Sequence, residues 1–419
     1  MDNLNRREFL GKLGRLTVGT FALSSAFSFS AFSQAGENVK IGVPVPLSGP
    51  YSAGANDQKR GALLAQEEIN KQGGVLGNDL ELLIRDTELK PGVAVRRTKE
   101  MIEQDNVSFV VGSLSGATSP AILETCAKRQ TLFMSTNIPD ITRGKYVTPY
   151  GFNRGQNSFM TSRVMGTWAY NNLGTKWYSL AADYRYGHNL LGTQLWLADQ
   201  EGFSDIELDY SLHPLGQSDL STYMTKVMAS NADVLFIDNF GSDTVRAVKQ
   251  AKEFGLDRMM DICVPFQYQL APKETGDARE GVYYGSGWDW KLENRYETAA
   301  HLSESFRNNY GQPPTSYGAR TYDAIWEVAN AINMVEEESV DKVIGFLEGR
   351  RWARIAGEIS WQACNHQCIQ PIWVTKGKVA PSDNEWDILE VIEEVPGEGM
   401  FRTCEEALQN TIRPLDYVG

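Results

Sequence analysis

Histidine is scarce in this chain: His188, His213, His301 and His366 are the only four in 419 residues. The Cys364–Cys368 stretch encloses one of them, but no second pair of ligands stands at metal-site spacing, which argues against a bound metal. A Walker loop is missing, and so is a Gly-x-Gly-x-x-Gly turn after a strand, which removes the loops that cradle nucleotide phosphates. The turn closest to a nucleophile elbow, Gly112-x-Leu114-x-Gly116, carries leucine at its centre. No catalytic set is visible, and neither enzymatic activity nor a cofactor is expected. Basic residues are in deficit, 40 Lys and Arg against 53 Asp and Glu, for a net charge of −13. That sign disfavours nucleic acid or an anionic membrane surface as partner. Long apolar runs are also absent: the longest, Leu16–Phe32, falls short of the ~20 residues of a spanning helix and is diluted by serine.

What the first 35 residues do contain is an export leader. Arg6-Arg7 precede Phe9-Leu10, a weakly apolar stretch follows, and Ser33-Gln34-Ala35 offers small residues for cleavage. The arginine pair and the Gly/Ser-diluted centre resemble a twin-arginine signal, with Asn5 where that pattern prefers Ser or Thr. The mature chain, from about Gly36, is therefore expected in the periplasm with no membrane insertion. The leader holds Arg6, Arg7, Lys12 and Arg15 against Asp2 and Glu8, so the mature form sits near −15. About 384 residues remain, enough for two domains of ordinary size. An oxidising compartment favours pairing among the five cysteines. Cys126 and Cys263 fall in apolar helix and strand patterns and read as small core residues. One disulfide is expected among Cys364, Cys368 and Cys404. Cys364–Cys404 is preferred, because residues four apart in an extended segment are too distant to bridge.

From Val39 onward, short apolar runs alternate with amphipathic stretches. Strands are expected at Val39–Pro46, Leu80–Asp86, Ser108–Gly112 and Thr131–Ser135, separated by helices at Gln58–Lys71, Pro91–Asp105 and Pro120–Arg129. The rhythm restarts with strands at Trp177–Ala182, Ile206–Ser211, Val234–Asp238, Met260–Val264 and Gly281–Ser286. Their helices run Phe159–Leu173, Gly187–Glu201, Asp219–Ser230 and Ser242–Phe254. Helices at Tyr296–Asn309, Tyr317–Val335 and Ser339–Gly349 follow, then an expected hairpin of Gly357–Trp361 with Ile369–Lys376, and a tail carrying Trp386–Val391. This β-α alternation predicts an α/β protein of two doubly wound parallel-sheet lobes facing a cleft.

Ligands of such sheets gather at the carboxyl ends of strands. The turn Ser113-Leu114-Ser115-Gly116-Ala117-Thr118 offers hydroxyls, a glycine and the start of a helix, which suits a carboxylate and equally suits ordinary N-capping. Other strand ends are aromatic: Tyr184 and Tyr186, Phe240, and Phe266-Gln267-Tyr268. Aromatics with a few polar groups fit a small-ligand pocket.

Several stretches carry a family resemblance: Leu47-Ser48-Gly49-Pro50, Ile69-Asn70-Lys71-Gln72-Gly73-Gly74-Val75-Leu76-Gly77, Val110-Val111-Gly112 with Ser115 and Thr118, Thr321-Tyr322-Asp323-Ala324, and Asn365-His366-Gln367. From about Val39 to Lys376 the chain resembles a type I periplasmic binding protein of the branched-chain amino acid class. The resemblance implies two lobes joined by a three-strand hinge, residues 36–155 with 286–357 and residues 156–285 with 358–419. It implies a solute-binding component of an ABC importer that meets permease subunits; the amide sensors of the same family imply, alternatively, a ligand-sensing module. The implied ligand residues are Ser113, Leu114, Ser115, Thr118, Ser135, Thr136, Asn137, Tyr186, Phe240, Phe266, Gln267 and Tyr317. Two departures stand out. No acid occupies Phe266-Gln267, where amino-acid binders pair the ligand ammonium, and a pocket aromatic near Gly54-Ala55 is missing. Either Asp183 or Asp238 serves instead, or the ligand carries no ammonium.

Overall fold

The computed structural model describes residues 37–137, 142, 144 and 146–409, without the side chains of 408 and 409. The export leader expected at residues 1–35 lies outside them. The first half reads β1 (Val39–Val45), α1 (Ser52–Lys71), β2 (Leu80–Asp86), α2 (Pro91–Glu103), β3 (Phe109–Gly112), α3 (Ser119–Ala127), β4 (Leu132–Ser135) and β5 (Gly151–Asn153). These strands form an all-parallel sheet in the order β2-β1-β3-β4-β5. β1, β3 and β4 read as nearly unbroken apolar runs because helices cover both faces.

The second half continues α4 (Ser158–Asn172), β6 (Lys176–Ala182), α5 (Arg185–Ala198), β7 (Glu207–His213), α6 (Ser221–Ala229), β8 (Val234–Asp238), α7 (Ser242–Glu253), β9 (Asp261–Val264), α8 (Leu270–Thr275) and β10 (Tyr283–Ser286). The chain then returns through α9 (Glu297–Tyr310), α10 (Ser316–Val335), α11 (Val340–Leu347), β11 (Arg351–Arg354), β12 (Gly357–Trp361), β13 (Cys368–Ile369), β14 (Ile372–Gly377), β15 (Leu389–Val395) and α12 (Cys404–Gln409). The second sheet runs β15-β14-β10-β9-β8-β6-β7, with β14 and β15 antiparallel at one edge.

α10 packs against α1 beside the first sheet, and both share one buried cluster with β1, β3 and β4. At their crossing, a Cβ on Gly61 would stand 2.1 Å from the Gly318 carbonyl oxygen, so only glycine permits the approach. α1 starts six residues before the expected Gln58. Its first two turns hold weak helix formers, Ser52, Gly54 and Asn56, and are kept helical by packing.

The expected hairpin of Gly357–Trp361 with Ile369–Lys376 is corrected. β12 pairs on one side with β11 and on the other only with β13, while β14 joins the second sheet beside β10. Pro371 explains the break, since it cannot donate to a ladder and ends β13. Beyond the expected change of lobe at 357/358, Ile359, Trp361 and Cys368 lie in the buried cluster that holds the first sheet. β5 was not expected from sequence; three residues are too few to show a period. The structure joins Cys364 to Cys404, with Cα atoms 6.0 Å apart, and leaves Cys126, Cys263 and Cys368 buried and unpaired.

Candidate functional site

Strand ends of both sheets open on one cavity of about 710 Å³. From the first half come Tyr51 after β1, Leu89 after β2, Leu114 to Ala117 after β3, and Asn137 after β4. The second half supplies Tyr184 to Tyr186 after β6, Leu215 after β7, Phe240 after β8 and Phe266 after β9. The first turns of α4 and α10 complete the wall with Ser158, Thr161, Tyr317 and Arg320. Rings from the two sides meet: Tyr51 lies 5.9 Å from Phe240, and Tyr268 bridges Phe240 and Tyr317 at 5.4 Å from each.

Seven of the residues implied by the family resemblance line this cavity: Leu114, Ser115, Asn137, Tyr186, Phe240, Phe266 and Tyr317. The other five stand behind it. The Ser113 and Thr118 hydroxyls bond each other at 2.9 Å, and the Thr136 hydroxyl donates to the Ser113 carbonyl at 2.8 Å. Thr118 therefore helps to shape the turn. Ser113 takes a left-handed φ of 57° that turns the chain so Ser115 faces the cavity. The Asn137 amide donates to the Leu114 carbonyl at 2.7 Å and secures the turn from the neighbouring strand end. Ser135 donates to Asn153 at 3.0 Å, below the cavity floor. Gln267 is buried off the wall; its backbone N–H donates to the Gly285 carbonyl, and its side-chain amide has no partner among the described residues. Ser115 Oγ accepts from the N–H groups of Ala117 and Thr118 at 3.2 and 3.4 Å, which leaves its own proton for a ligand.

The acids weighed as ammonium partners are elsewhere. Asp238 is the buried last residue of β8 and accepts from the Ser179 hydroxyl and, at 3.0 Å, from the Gln194 amide; burial pushes its carboxyl up to about 7. Asp183 pairs with His188 at 2.7 Å and does not line the cavity. Near Gly54 the ring that lines the cavity is Tyr51, three residues earlier.

Sequence reasoning missed Tyr51, Gln156, Asn157, Ser158, Thr161, Arg185, Asn189 and above all Arg320. A signal for Arg320 existed: Tyr317, Arg320, Thr321 and Ala324 share one face of α10, and an arginine on an otherwise buried face is rare. The Asp57 carboxylate on α1 fixes the start of α10. It accepts from the Thr315 N–H and hydroxyl at 2.9 and 2.6 Å and from the Gly318 N–H at 3.0 Å. Gln58 adds a second tie, donating to Thr136 and Thr321. Among the described residues no group of acids, histidines and cysteines is placed to hold a metal, and no helix is long and apolar enough to cross a membrane.

Two α/β sheets whose strand ends open on one cavity give the two-lobed architecture of a solute-binding protein. The sequence profile described as periplasmic binding protein matches residues 38–384, and the chain belongs to that family, in its type I branched-chain class. The leucine-, isoleucine-, valine-, threonine-, and alanine-binding protein of Pseudomonas aeruginosa is 23% identical over 344 residues, covering 81% of this chain and 90% of that protein. An amino acid ABC transporter substrate-binding protein from Pseudomonas fluorescens superposes with a TM-score of 0.82 at 25% identity, covering 89% of this chain and 99% of that one. A solute-binding protein of an ABC transporter from Rhodopseudomonas palustris, solved with 3,4-dihydroxybenzoic acid, superposes at 0.72 with 19% identity over 86% of this chain and 96% of that one, a likeness of fold alone.

Proposed function

We propose that this chain is the substrate-binding component of an ABC importer. It takes a small carboxylate or amino-acid-like solute between its two lobes, closes over it by hinge motion, and presents the closed form to the membrane permease. It works in the periplasm, reached by the twin-arginine route. The lobes comprise residues 36–155 with 286 to about 370, and 156–285 with the remainder; the last boundary follows the packing of β12 and β13. The observation that carries this reading is the cavity itself, walled by strand ends of both sheets and lined by hydroxyls, amides and aromatic rings. Such a site encloses a small molecule and offers it no chemistry.

Calorimetry over amino acids, amides and aliphatic and aromatic carboxylates tests this, paired with scattering at saturation. One solute class is expected to bind, Ser115→Ala to weaken every binder, and the radius of gyration to fall. An unchanged radius on saturation removes hinge closure from the mechanism.

A further inference from the structure

Among the described residues, the charged groups lining the cavity are Arg185 and Arg320, and no aspartate, glutamate or lysine lines it. Arg185 is exposed at the rim. Arg320 is different: it is only 2% exposed, and its Nε and Nη2 have no hydrogen-bond partner among the described residues. Asp323, the buried acid three residues further along α10, is committed to other cations, Arg154 at 2.7 Å and Arg354 at 3.1 Å. What Arg320 touches instead is a ring, its guanidinium carbon standing 5.6 Å from the Phe266 centroid. A buried guanidinium without a counter-charge is unfavourable. Burial accordingly lowers its pKa to about 10, with neighbouring Arg154 pushing the same way.

A second unpaired donor stands beside it. Gln156 lines the cavity, and its side-chain Oε1 accepts from Gln370 at 3.4 Å, which leaves Nε2 without a partner. Gln370 is itself held by Arg154. Gln156 Oε1 and Nε2 and Arg320 Nη2 lie 2.2, 2.3 and 2.5 Å from the point a Cβ on Gly287 would occupy, so the amide and the guanidinium converge over a residue that has no side chain. Tyr317 Oη, buried one turn before Arg320, is a third polar atom of the wall without a partner.

We propose that Arg320 is the anion receptor of the cleft, assisted by Gln156, and that the solute is a carboxylate without an ammonium group, its aromatic or branched apolar body held among Tyr51, Phe240, Phe266 and Tyr317. This rests on the cleft being the solute site. A carboxylate on the guanidinium supplies the missing counter-charge and forms charge-assisted hydrogen bonds. Among the described residues, an α-ammonium would meet a wall with two arginines and no acid.

The test uses the mature protein with four probes: benzoate, its neutral isostere benzamide, 4-methyl-2-oxopentanoate, and leucine. Calorimetry is expected to show that at least one anion binds, that benzamide does not, and that the keto acid exceeds leucine. Arg320→Met should weaken the bound anion roughly 10- to 100-fold, and Arg320→Lys should recover part of the loss. The ligand-free melting temperature of Arg320→Met should hold or rise, because an uncompensated buried charge is gone. A large fall in that temperature would make Arg320 a structural residue and overturn the proposal. Undiminished anion binding by Arg320→Met overturns it as well. Binding of leucine or benzamide but of neither anion overturns the anion receptor and keeps the cleft as the solute site; binding of none of the four overturns both.

Discussion

At residue scale, the site depends on single atoms that sequence patterns show poorly. Arg320 sits near the start of a helix whose span, Tyr317–Val335, was legible from its apolar period, yet the period says nothing about which tertiary wall that face meets. Ser115 was legible because a strand end, a glycine and hydroxyls fall together; its neighbours Ser113 and Thr118 carry the same signal but spend their hydroxyls on each other. Gly61 is a residue whose value lies in what it lacks. Gly61→Ala places a methyl 2.1 Å from a backbone oxygen that belongs to another helix. Overpacking of that kind costs about 1–3 kcal/mol. The expected result is a melting temperature several degrees lower; no change would show that α1 and α10 separate freely.

The element that matters most is α10, because its first turns hold Tyr317 and Arg320 while its remaining length packs in the core of the first sheet. Its N-terminus is fixed from outside by Asp57 on α1. Asp57→Ala leaves two buried N–H groups and a hydroxyl without their acceptor, at about 1–3 kcal/mol for each buried donor left unpaired. The start of α10 should then loosen. Thermal unfolding is expected to report the loss, and calorimetry a weaker affinity for the solute although Asp57 does not line the cavity. Affinity unchanged in a protein that melts lower would separate the tie from the site. The misread hairpin belongs to this scale too: the apolar run Ile369–Lys376 has strand character throughout, and only Pro371 with the needs of two sheets divides it into β13 and β14.

For the whole molecule, buried carboxyls give stability a pH dependence. Burial raises Asp57 to about 6 and Asp238 and Glu327 to about 7, whereas the unfolded chain titrates them near 4. Each group binds its proton more tightly when folded. Its contribution is therefore complete below about pH 4 and is lost as pH rises through 6 to 7. The protein should melt at a higher temperature at pH 5 than at pH 8. Asp238→Asn keeps the partners Ser179 and Gln194 and should reduce that difference, at most by about 1.4 kcal/mol per pH unit within the window. An unaltered pH profile in the variant would mean that Asp238 is ionised throughout.

The sequence by itself determined the class of this protein. Periodicity is local, so the β-α alternation, most strand and helix spans and the family stretches could be read along the chain. Tertiary structure alone decided which groups share the cleft. Arg320, Gln156 and Tyr51 lie far apart in sequence and meet because the two sheets aim their strand ends at one space. Whether an arginine there is paired depends on where Asp323 points, and it points to Arg154 and Arg354. Pairing of that sort is a matter of distance in space, which neither composition nor spacing records.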